Sequence, residues 1–149
     1  MSLAVEEQIL ESLAHSVSLM PGLGSEEGHP RSHVSMIRFM DDVRTVVNAV
    51  LLGAGLEGAR FKAMVEEVGR SDADLPWAKV VLVFEGYVFY IHAKVFMDVE
   101  DIDVLADEAG DIAEKYNAEV VPLAAAYEYT YDAERYAHSI EIETLRLGL

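Results

Sequence analysis

The chain has 149 residues, with 11 basic against 27 acidic side chains and a formal net charge of −16. That length suffices for one domain with a substantial core, and 52% hydrophobic residues exclude a chain too polar to collapse. There is no cysteine, which excludes disulfides, cysteine-ligated zinc, iron–sulfur sites and thiol nucleophiles.

Charge bears on partners. The field of so acidic a protein opposes a polyanion, so nucleic acid is not the partner that overall charge predicts. Residues 1–70 carry six basic and ten acidic side chains, and residues 71–149 carry five and 17. The longest apolar runs, such as Val46–Leu52 and Val80–Phe84, fall far short of the roughly 20 residues a bilayer span needs. No charged-then-apolar leader opens the chain. The expectation is a soluble, cytoplasmic protein with no membrane partner.

The first element read from the pattern is an amphipathic helix over Leu3–Leu19, with Ile9, Leu10, Leu13 and Val17 on one face. Gly24, Gly28 and Pro30 then make a loop. A second helix, capped at Ser32 or Ser35, runs through Met36, Phe39, Met40, Val43, Val46, Val47 and Val50 to Gly53. A third is expected over Glu57–Val68, carrying Phe61, Met64, Val65 and Val68. From there strands alternate with helices. Lys79–Phe84 is a buried strand, Glu85-Gly86 a hairpin turn and Tyr87–Met97 the returning strand. Asp98–Tyr116 follows as a helix, Ala118–Tyr127 as a strand, Asp132–His138 as a short helix and Ile140–Leu145 as a last strand. This order predicts an α/β (α+β) fold with a mixed β-sheet flanked by helices. The whole chain, 1–149, is expected to be one domain, in which residues 1–56 form an N-terminal helical extension. The valine-rich second helix and the amphipathic first one suggest a homo-oligomer, a dimer.

Certain residues in this order carry a resemblance. Tyr90-Ile91-His92-Ala93-Lys94-Val95 ends the hairpin, and Asp98-Val99-Glu100-Asp101-Ile102 opens the next helix. Glu119-Val120-Val121-Pro122-Leu123, Asp132–Ala137 and Ile140-Glu141-Ile142 make a closing strand, helix and strand. In this, residues 57–145 resemble the PD-(D/E)XK nuclease-like superfamily, especially its small archaeal members. The resemblance implies a restriction-endonuclease-like core over residues 57–149. It also implies metal-dependent phosphodiester cleavage, in which two carboxylates hold magnesium or manganese and a lysine orients the attacking water. Lys94 matches the motif lysine. His92 stands where the motif needs an acid, and the upstream Asp falls near Lys79. Glu66, with Glu67, stands for the acid of the family's first helix.

Hairpin geometry adds to this. With Glu85-Gly86 as the turn, Lys79 pairs with His92, and Tyr90, His92 and Lys94 share one strand face. A surface of two lysines and a histidine repels a divalent cation. The expectation is therefore a non-catalytic nuclease-like domain that works by self-association or protein binding and has no cofactor. One alternative is a metal-dependent nuclease built on Lys94, His92 and Glu66. Migrated carboxylates at Glu67, Asp72, Asp74 or Glu85 are further candidates, with magnesium, manganese or zinc as the ion. The other alternative is a small-anion binder using Lys79, His92 and Lys94. The bland reading has His92 and Lys94 on a partly exposed strand face or paired with Glu66 or Glu67.

The remaining features read as structural. His29 and His33 flank Pro30 in a loop, and His15 and His138 lie near helix ends. Nine acids between Asp98 and Glu119 read as a solvated outer helix face, since no Asp-x-Asp-x-Asp-Gly-x5-Glu pattern is present. Tyr127, Tyr129, Tyr131 and Tyr136 read as amphipathic rim residues.

Overall fold

Ser35 opens the first helix by accepting the Arg38 N–H on its hydroxyl at 3.1 Å, which satisfies one of the donors a helix start leaves free. The structure, a computed structural model, describes residues 35–53 and 62–148. The helix expected over Leu3–Leu19, together with His15, His29 and His33, lies outside the described residues. Helix α1 is Met36–Gly53, and its buried stripe of Phe39, Met40, Val43 and Val47 packs on the sheet.

Where the third helix is expected, the described residues form a strand. Ala63–Arg70 forms β1, paired antiparallel with β2, Pro76–Val83, so that Glu66 faces Val80 and Glu67 faces Lys79. The apolar spacing of Met64, Val65 and Val68 fits a helix. However, β2 has a second edge whose backbone groups need partners, and the β-branched Val65 and Val68 suit a pleated surface. Tertiary pairing overrode the local period.

The hairpin is as expected. Phe84 N–H donates to the Tyr87 carbonyl at 2.9 Å, and Gly86 takes φ 86°, a conformation open to glycine. Strand β3 is Tyr87–Met97, with Lys79 opposite His92. Helix α2, Val99–Tyr116, starts on a capping box between Asp98 and Asp101. Strand β4, Glu119–Tyr129, runs parallel to β3. Helix α3, Tyr131–Ser139, is capped by Thr130, and β5, Glu143–Arg146, runs parallel to β4.

Among the described residues the result is an α+β fold with a five-stranded mixed sheet in the order β1-β2-β3-β4-β5. Strand alternation divides the core. Val80, Leu82, Ile91 and Leu123 pack beneath α1, and Val81, Val88, Ala124 and Ala126 pack beneath α2 and α3. Among the described residues no helix is long and apolar enough to cross a membrane.

Two glycines behave oppositely. A Cβ on Gly69 would lie 2.7 Å from the ring of Trp77, its cross-strand partner, whereas Gly110, inside α2, has nothing within 4 Å. In urea unfolding Gly69→Ala is expected to cost about 1–3 kcal/mol by overpacking, and Gly110→Ala to add about 1 kcal/mol through helix propensity. Equal effects at the two sites would contradict this packing.

Candidate functional site

Four side chains on the α2-facing side of the sheet form the site. Lys79 comes from β2 and Tyr90, His92 and Lys94 from β3, held together by the Lys79–His92 and Trp77–Lys94 register and by the two-residue repeat of a strand. The face predicted from the sequence is the face observed.

Its counter-charges come from α2, not from the expected positions. Lys79 Nζ lies 2.5 Å from Glu108 Oε2 and Lys94 Nζ 2.5 Å from Asp101 Oδ1. Tyr90 donates its hydroxyl to Glu108 Oε1 at 2.7 Å. The reading of Asp98–Glu119 as a wholly solvated face is corrected here: Glu100, Asp103, Asp107 and Glu114 are exposed, but Asp101 and Glu108 turn towards the sheet. The pairing of His92 or Lys94 with Glu66 or Glu67 is corrected with it. The missed signal is a spacing. Asp101, Leu105, Glu108 and Ile112 recur at i, i+4, i+7 and i+11, so both acids border the apolar stripe rather than oppose it.

The other expected acids are elsewhere. Glu66 faces Val80, which faces Ile91, so it lies on the α1 side of the sheet, opposite to Lys94 and His92. Its Oε2 is buried without a partner among the described residues, and burial raises its pKa. Glu67 does face Lys79 across the strands, yet Lys79 pairs with Glu108. Asp74 is held by Arg70 beyond the end of β1, Asp72 lies in the same connector, and Glu85 is in the hairpin turn.

Electrostatics follow from burial. The His92 side chain is 8% exposed, with Nδ1 3.2 Å from Glu108 Oε1 but outside hydrogen-bonding geometry, so the buried Nδ1 has no hydrogen-bond partner. Burial pushes its pKa down to about 4. The Glu108 carboxylate opposes that shift, and the nearby Lys79 and Lys94 ammoniums add to it. His92 is therefore neutral at pH 7. Burial alone would raise Glu108 and Asp101, but the hydrogen bonds and charge of their lysines outweigh it and hold both below the ordinary carboxylate range. Burial and Glu108 raise Tyr90, which stays a neutral donor.

A divalent cation does not fit this arrangement. Asp101 and Glu108 are seven residues apart on α2, about 10 Å along the axis, too far to ligate one ion. Each is already neutralised by an ammonium that would repel a cation. Among the described residues no three histidine or carboxylate groups converge as ligands.

No family model matches the chain, and no curated protein does. Two solved structures are similar to it. EndoMS in its apo form shares 18% identity at a TM-score of 0.46, over 58% of this chain and 38% of that one. A repair endonuclease from Pyrococcus abyssi shares 16% identity at 0.46, over 68% and 45%. The chain thus spans less than half the length of either. The α+β class rests on the sheet and helices described above.

The site makes stability pH-dependent. The folded pKa of His92, about 4, is below the unfolded value of about 6.5. Its neutral form is therefore favoured by folding above pH 6.5, and that contribution is lost as pH falls from 6.5 through 4. The depressed Asp101 and Glu108 lose theirs at still lower pH, with the same sign. Denaturant unfolding is expected to weaken by about 3 kcal/mol from the His92 shift alone, and His92→Leu should flatten the curve between pH 6.5 and 4. An unchanged slope would contradict the buried neutral imidazole.

Proposed function

We propose that this chain is a nuclease-like domain that has exchanged a metal site for ion pairs and works without catalysis, through protein binding or self-association. The observation that supports it is the Lys79–His92 pair. These residues oppose each other on β2 and β3 where the resemblance calls for two carboxylates, and the motif lysine, Lys94, is bound to Asp101.

A catalytic lysine in that chemistry has to face water and a metal-bound phosphate. Here its ammonium is matched in charge and held 2.5 Å from a carboxylate beneath the first turns of α2. An ion introduced at this place would first have to separate two partly buried pairs, each costly to break once formed. The small-anion reading meets the same obstacle, since both ammoniums are engaged. The overall charge of −16 also disfavours phosphate-rich partners.

Purified protein incubated with single- and double-stranded DNA and with RNA, in magnesium or manganese, is expected to leave every substrate intact. Metal-dependent cleavage that Lys94→Ala abolishes would overturn the proposal and restore the nuclease reading.

A further inference from the structure

Strand β1 is an eight-residue edge, paired on one side with β2 and on the other with no described strand. Such an edge offers a row of unpaired backbone donors and acceptors. Val65 and Val68, 38% and 39% exposed, lie on opposite faces of it. Behind the edge a cleft of about 210 Å³ opens between the strand and α2, lined by Val65, Glu67, Glu108, Asp111 and Tyr116 among others. Glu67 lines this cleft, on the same sheet face as its cross-strand partner Lys79. It has no salt-bridge partner among the described residues, because Lys79 has chosen Glu108. Lys79 and Lys115 also line the cleft, but the first is neutralised by Glu108.

A second copy of this chain is a poor occupant. Antiparallel pairing of two β1 strands about their middle would set Glu66 or Glu67 directly against its own counterpart, and like charges directly opposed destabilise a sheet. The Glu67 carboxylate, with Asp111 also lining the cleft, complements a strand whose cleft-facing side chains are basic.

We propose that the edge of β1, unpaired among the described residues, is a docking strand for a basic, extended segment of another protein. The segment adds to the sheet and sends lysine or arginine side chains to Glu67 and Asp111 on the cleft face, with its alternate side chains on the other face. Main-chain hydrogen bonds supply affinity and alternate side chains supply specificity, as in other strand-addition complexes. This deepens the protein-binding reading above. The nuclease assay decides that reading and a peptide titration decides this one, so the two can fail separately.

The probe is a dye-labelled, alternating Lys-Val octapeptide followed by fluorescence anisotropy. Saturable binding is expected, weakened about tenfold or more by Glu67→Gln with Asp111→Asn, and unchanged by Glu100→Gln with Glu114→Gln on the outer face of α2. The same peptide with alternate backbone nitrogens methylated keeps its charge, loses its donors and should not bind. Thermal melts equal to that of the parent protein confirm that the variants are folded. Absence of binding, equal binding of the methylated peptide, or equal effects of the two carboxamide pairs would each overturn the proposal. So would light scattering that shows a dimer made tighter by Glu66→Gln with Glu67→Gln, which would give the edge to a second copy.

Discussion

Two lysine ammoniums lie on a sheet face that a helix covers, and the rest of the site is arranged to make that possible. Lys79 and Lys94 are 27% and 31% exposed in their side chains, which removes much of their hydration. A charge in such a place is tolerated when a partner and further hydrogen bonds compensate. Glu108 and Asp101 provide this, two turns apart on α2. They fix the rotation of α2 about its axis and its register along β3. Leu105 lies between them on the same stripe and adds the apolar contact. The Asp98–Asp101 capping box gives Asp101 two tasks, since one oxygen serves the helix start and the other serves Lys94.

The neutrality of His92 is a consequence of the same arrangement. An imidazolium there would lie near two ammoniums and two carboxylates, each of them already engaged by a lysine. Burial and like charge outweigh both carboxylates. The cluster is therefore closed, with its ammoniums matched one to one by carboxylates and its phenol and imidazole neutral. Phosphodiester cleavage of the implied kind requires the reverse, an uncompensated pair of carboxylates awaiting a cation. The positions that would carry that deficit of positive charge hold Lys79 and His92.

Much of the hairpin was legible in the sequence because its signals are short-range. Glu85-Gly86 sets the turn, the turn sets the register, and the register sets Lys79 opposite His92. Helix α2 and its apolar stripe were legible for the same reason. What escaped was of two kinds. Residues 63–70 have apolar spacing compatible with either a helix or a strand, and only the open edge of β2, a long-range fact, decides between them. Asp101 and Glu108 are two acids among nine in one stretch, and composition hides them. Their place beside Leu105 and Ile112 on the helical wheel distinguishes them. Glu66, assigned by analogy to the site, is removed from it by pleat alternation once its segment becomes a strand.

In the proposed reading, ion pairs occupy the place of a metal. Manganese is paramagnetic and broadens amide resonances near any site it binds, so NMR spectra recorded during a manganese titration test that claim directly. The account predicts no selective broadening at His92, Ala93, Lys94 or Asp101 while exposed acidic residues such as Glu100 and Glu114 show only weak, unsaturated effects. Saturable broadening centred on His92 and Lys94 would contradict it.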